Sequence, residues 1–200
     1  MLLARGGLIR ALCVLYSCEA DMITATQIKD LREAASGFEK TKLLKGKLAG
    51  LRQERQPFFL MADEFDEILQ WKLDTQYGRR KAHRSKNTDE IIRAVTGLAL
   101  NITHEDEDYE LELRIDILSS LRGVATPVAS AILTVVYPEK YAVIDFRNWR
   151  QIFGERKNSF SIGDYKRYMK EMRRLARELD WSIQEVDQAI WEYDRRHGDA

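Results

Sequence analysis

Two short runs hold the residues best suited to chemistry. The first is Leu121-Arg-Gly-Val-Ala-Thr-Pro-Val-Ala-Ser-Ala-Ile-Leu133, which reads as a helix end, a tight turn and a second helix start. Gly123 permits a turn conformation that other residues resist. The small residues Ala129, Ser130 and Ala131 let two helices approach closely. From Gly123 through Val124 and Ala125 to Thr126, the backbone N–H groups have no helical acceptor, and such groups suit a phosphate. The second run is Tyr141-Ala-Val-Ile-Asp-Phe-Arg-Asn-Trp-Arg150. By itself Asp145 is an N-cap there, its carboxylate satisfying orphan N–H groups. Arg147 and Arg150 stand beside that helix start, as phosphate contacts or as solvated side chains. His83, His104 and His197 are scattered without metal-ligand spacing. Cys13 and Cys18 are too few for an iron–sulfur cluster or a structural zinc site.

The elements that must position these runs read as helices. Three prolines and eleven glycines in 200 residues leave room for long ones. Thr26 to Ala35 and Lys40 to Arg55 are polar and amphipathic, and Pro57 ends the second. Asp63 can cap a helix through Phe65, Ile68, Leu69 and Lys72. A basic loop runs from Gly78 to Asn87 with Arg79, Arg80, Lys81, Arg84 and Lys86, and its lack of apolar residues suits a mobile element. Thr88 or Asp89 starts the next helix, with Ile91, Ile92, Val95, Leu98 and Ala99 on one face. Tyr109 to Ile117 alternates as a strand does, yet also forms a helical face, and no partner strand is evident, so helix is expected. Thr126 suits an N-cap and Pro127 a first helical turn, and Tyr137-Pro138 breaks that helix. Phe146 to Phe153 follows Asp145. Ser161 starts a long helix to Leu179, and Ser182 with Glu185 forms a capping box for the last. Only Tyr141 to Ile144 looks like strand.

The run at 121–133 resembles the helix-hairpin-helix motif of the base-excision DNA glycosylase superfamily, whose core is Leu-x-Gly-hydrophobic-Gly followed by small residues. The second run extends the resemblance: in that superfamily an aspartate follows two or three apolar residues, with an arginine five positions later, as Asp145 and Arg150 stand here. The match covers roughly thirty residues. It implies an all-α domain over 24–197 that holds duplex DNA, mainly by its backbone phosphates, through Gly123, Val124, Ala125, Thr126, Arg147 and Arg150. It also implies that Asp145 is the carboxylate that stabilises charge on the sugar, or orients water, while a flipped-out base is cut away. Trp149 and Tyr77 become candidates for the base pocket, beside the plainer reading of core packing. Two departures stand out. The second turn glycine is Ala125, and the lysine of strand-cleaving members is replaced by Pro127, which cannot form a Schiff base. The resemblance thus implies a glycosylase without lyase activity, or one using a lysine from elsewhere. It implies no cofactor, although a monovalent cation held by the turn carbonyls is common in that superfamily.

Bulk properties bound these readings. A chain 44% hydrophobic and 32% charged is that of a soluble globular protein rather than a disordered one. Thirty-two basic and 32 acidic residues cancel, so net charge offers no argument for nucleic acid, although the basic loop and the acidic stretch from Glu105 to Glu112 suggest faces of opposite sign. Met1 to Ala20 carries Arg5 and Arg10 and then an apolar stretch from Ala11 to Tyr16, too short to span a membrane. It reads as an extension upstream of Met22, or as a first helix, in preference to a signal peptide. With cysteines so few, the chain reads as intracellular and cytoplasmic. Two other functions stay open: a DNA-binding module without catalysis, and an interaction protein that has lost DNA.

Overall fold

The computed structural model describes residues 23–33, 38–79 and 81–198. Cys13, Cys18, Arg80 and the apolar N-terminal stretch lie outside them. Among the described residues there are ten α-helices and no strand: α1 (Ala25–Lys29), α2 (Glu39–Glu54), α3 (Ala62–Leu73), α4 (Lys81–Arg84), α5 (Asp89–Asn101), α6 (Glu107–Ser119), α7 (Thr126–Val136), α8 (Phe146–Phe153), α9 (Ile162–Leu179) and α10 (Ile183–His197). A single 3-10 turn, Asp74–Gln76, follows α3. The chain is all-α, and none of these helices is long and apolar enough to cross a membrane.

The middle of the core is α7. All its residues except Pro127 are buried, as expected of a helix that is apolar all round. Helices α2, α3 and α6 pack against it. The ambiguous segment 109–117 is helical, with Leu111, Ile115 and Leu118 turned into the core. Asp106 caps it by accepting from Asp108 and Tyr109 N–H. Pairing with α5 and α7 buries the side chains that a strand would have needed a sheet to cover.

Several expected boundaries shift. Helix α1 stops at Lys29, short of Ala35. The cap of α3 is Met61, whose N–H donates to Glu64, and Asp63 is only in its first turn. Ala125 rather than Thr126 is the N-cap of α7, so Pro127 is the second helical residue. The apolar face read for α5 splits: Ile92 and Ala99 are buried, whereas Ile91 and Leu98 are exposed. The basic loop contains α4, and its Arg84 is buried, the guanidinium donating to the carbonyls of Tyr77 and Arg79.

The segment 141–145 is extended, yet it forms no ladder. Tyr141 N–H donates to Tyr137 O, and side chains satisfy further backbone groups, since buried peptide groups need partners. Tyr165 hydroxyl donates to Ala142 O at 2.8 Å and Gln184 Nε2 to Tyr141 O at 2.9 Å. Val143 N–H donates to Asp187 Oδ2 at 3.3 Å and Ile144 N–H to Ser130 Oγ at 3.2 Å. Three helices thus hold this strand-like stretch between them.

Candidate functional site

The segment 141–145 delivers Asp145 to the N-terminus of α8. Asp145 Oδ1 accepts from the N–H groups of Arg147 and Asn148, both at 3.0 Å. Oδ2 faces Lys72 Nζ, from the last turn of α3, at 3.9 Å. The Ile144–Ser130 bond fixes the aspartate relative to α7. Ser130 is five residues past the Ala125 cap, about 7 Å along a helix axis.

Asp145 opens onto a cleft of about 420 Å³ between the end of α3, the start of α8 and α10. Trp71, Phe38 and Trp191 supply its aromatic walls, and Thr134, Asn148 and Asp187 its polar ones. Asp187 is 7% exposed. Its Oδ1 accepts from Asn148 Nδ2 at 2.6 Å and from Tyr168 hydroxyl at 2.9 Å. Burial first, and the Asp145 charge second, push the Asp187 carboxyl up to about 6 against the bonds from Tyr168 and Val143 and the charge of Lys45. Lys45, which donates to Gln184 Oε1, is itself brought down to about 8 by burial, against the pull of Asp187. Two further polar atoms of cleft residues, Thr134 Oγ1 and Asn148 Oδ1, are buried without a hydrogen-bond partner.

The turn between α6 and α7 lies at the other end of α7. Gly123 has φ +83°, a left-handed conformation that favours glycine, and a Cβ there would stand 2.6 Å from Arg84 Cγ. The basic segment is docked on this turn. Asn87 clasps Arg122 through both backbone groups, accepting from its N–H at 2.9 Å and donating to its O at 3.0 Å. Lys81, Lys86 and Arg122 stay exposed nearby. Val124 is buried, its N–H donating to Leu121 O at 3.1 Å, while Ala125 is exposed. Two central carbonyls, of Leu121 and Arg122, are thus already taken by Val124 and Asn87.

The predicted site residues divide. Asp145 and Arg147 line the cleft, and Gly123 to Thr126 form the turn. Arg147 and Arg150 are both engaged by Asp194 of α10. Arg147 Nη1 lies 3.1 Å from Oδ2, and Arg150 Nη2 lies 2.7 Å from Oδ1. They tie α8 to α10, and Arg147 remains partly open beside Trp191. Trp149 is not a wall of the cleft. It is fully buried on the opposite face of α8, against Phe153 and Phe160, with Lys157 and Arg167 over its ring. Tyr77 likewise belongs elsewhere: its hydroxyl donates to Asp66, and it lines a second cleft of about 210 Å³ with Lys81, Arg84 and Asn87.

Sequence reasoning missed Lys72, Asp187, Asn148 and Asp194. A signal existed for two of them. The buried stripe of α10 runs through Val186, Ala189 and Ile190, and both Asp187 and Asp194 fall on it at helical spacing. An aspartate on an apolar stripe has a partner or a task. Nothing comparable marks Lys72, which meets Asp145 only through the fold, or the Asn148 side chain, which meets Asp187 only through the fold. Compared with known proteins, the chain matches no family model, no curated protein and no solved structure.

Proposed function

We propose that the chain is a DNA N-glycosylase-like protein that hydrolyses the bond between a damaged or mismatched base and its sugar, with Asp145 as the essential carboxylate. The observation that carries this reading is the placement of Asp145: a partly exposed carboxylate at the mouth of an aromatic-walled cleft of about 420 Å³, tethered through Ile144 to the helix that leaves the Gly123 turn. A flipped base needs a cavity of roughly this kind, with a carboxylate beside the anomeric carbon. Duplex DNA would be gripped by phosphates at the turn, with Lys81, Lys86 and Arg122 supplying charge nearby, and the protein would work where DNA is, inside the cell. The reading stays hydrolytic. Position 127 is proline, which cannot form a Schiff base, and Lys72, 3.9 Å from Asp145, is the lysine that a strand-cleaving variant of this reading would have to use.

The test is incubation of the protein and its Asp145→Asn variant with duplexes each bearing one altered or mismatched base, abasic products being revealed by alkali. The expected outcome is base release by the parent and a loss of at least about 10²-fold in the variant. Equal release by both would overturn the role of Asp145. A second reading, a DNA-binding module without chemistry, is favoured by one observation: Asp145 Oδ1 is fully used as a helix cap. It predicts binding that weakens with salt and no product. Association insensitive to salt would instead indicate an interaction protein that does not use DNA.

A further inference from the structure

We propose that Asp187 is a second catalytic group of this cleft, the carboxyl that gives its proton to the departing base while Asp145 serves the sugar. The inference rests on the glycosylase reading above. Asp187 lines the same cleft as Asp145, and Asn148 joins the two. The Asn148 backbone N–H donates to Asp145 Oδ1 at 3.0 Å, and its Nδ2 donates to Asp187 Oδ1 at 2.6 Å. The amide cannot be turned over, because Nδ2 also meets Asp187 O at 3.2 Å, and two acceptors fix which end is nitrogen. Asp187 Oδ1 is thus committed to Asn148 and Tyr168, whereas Oδ2 has a single long contact, Val143 N–H at 3.3 Å. Oδ2 is the oxygen available to carry a proton.

The surroundings separate the two carboxyls. Asp145 faces two N–H groups and the Lys72 ammonium. The charged and titratable groups facing Asp187 are Lys45 from α2, Tyr165 and Tyr168 from α9, and Asp145 itself; burial first, and the Asp145 charge second, drive its carboxyl up to about 6. A buried carboxyl that holds its proton to higher pH, set in one cleft beside a second carboxyl, is suited to act as the proton donor of the two. Thr134 Oγ1 and Asn148 Oδ1, of residues that line the same cleft, are buried without a hydrogen-bond partner.

The step balances. The C1′–N bond breaks, its electron pair goes to the base, and a base nitrogen takes the Asp187 proton. Water adds to C1′ and loses a proton to Asp145. The products are the free base and a sugar bearing hydroxyl, and exchange with solvent restores both acids.

The experiment is single-turnover base release by the full chain from about pH 5 to 8, on duplexes carrying a neutral base that the protein releases. The parent rate is expected to fall about tenfold per pH unit above about pH 6. Asp187→Asn is expected to lose about 10²-fold at pH 6 and to show no such limb. A limb that persists in the variant, or a parent rate flat across this range, overturns the proposal. Should the variant not fold, the parent decides with a second probe, N7-methylguanine, a cationic base that departs without a proton. A limb seen for the neutral base and absent for the cationic one supports Asp187, and a limb shared by both overturns it. Failure of the parent to release any base at any pH overturns the underlying reading and this one with it.

Discussion

Asp194 offers the sharpest test of how α8, and with it Asp145, is held. Its side chain is fully buried, and it accepts from Arg147 Nη1 at 3.1 Å, Arg150 Nε at 3.0 Å and Nη2 at 2.7 Å, and Gln151 Nε2 at 2.8 Å. Asp194→Asn keeps the shape, removes the charge and turns one acceptor into a donor aimed at arginine. Breaking a fully buried charge pair from one side costs about 3–5 kcal/mol. Here the arginine side chains are 36% and 21% exposed, so solvent takes up part of the loss, and about 2–3 kcal/mol is the expected range. For a chain of this length each kcal/mol moves Tm by about 2–4 °C, so Tm is expected to fall by between about 4 and 12 °C. The effect has a direction in pH. Burial works against ionisation of Asp194, but the bonds from Gln151 and Arg150, the charge of Arg150 and the bond from Arg147 outweigh it and hold the carboxyl below its ordinary value. A depressed carboxyl contributes stability above its unfolded value of about 3.9, and the contribution disappears as pH falls through the folded value. The assay is thermal unfolding of parent and variant at pH 7 and stepwise below pH 4. A variant that melts within about 1 °C of the parent at pH 7, or a gap that stays constant into strong acid, would refute the reasoning.

Three other outcomes follow from the geometry. Gly123→Ala combines a left-handed φ of +83° with a Cβ 2.6 Å from Arg84 Cγ. Arg84 is anchored by two carbonyls and cannot swing aside, so a loss of about 2 kcal/mol is expected from the denaturant midpoint, and a loss under about 0.5 kcal/mol would contradict it. Trp149→Ala is expected to cost about 3–5 kcal/mol by the same measurement, because Trp149 is core; a variant of parental stability that had lost only DNA binding would return it to the pocket. Asp187 runs opposite to Asp194: its folded carboxyl, near 6, lies above its unfolded value. Its contribution is therefore complete below about pH 4 and lost as pH rises through about 6, about 3 kcal/mol in all. Parent unfolding followed against Asp187→Asn should show that decline between about pH 4 and 6, and parallel curves would argue against the shift.

Patterns that depend on neighbours along the chain were legible before any fold was known. The Ser161 helix start and the capping pair Ser182–Glu185 occur where they were read, and Asp145 caps α8 over 146–153 as read. These are contacts across three residues, decided by local backbone geometry. Local chemistry also required a left-handed residue at Gly123. The strand-like alternation at 109–117 was settled as helix only by what covers it, since apolar residues at alternate positions also fit a helical face and packing chooses between the two. The strand-like 141–145 stayed extended without a sheet because side chains from α7, α9 and α10 reach its peptide groups.

The make-up of the cleft was a different matter. The residues whose identities sequence proposed for it, Trp149 and Tyr77, were chosen for nearness along the chain or for loop position, and the rotation of α8 and the docking of α4 sent both elsewhere. Lys72 and Asp187 come to the Asp145 cleft from α3 and α10, and the Asn148 side chain meets Asp187 across it. Sequence determined that this chain is helical, where most helices begin, and that a carboxylate stands at the head of α8. Tertiary structure alone decided which carboxyl shares its cleft and which arginines are spent holding it. Burial and charge act across space between helices far apart in the chain, and no local pattern records that distance.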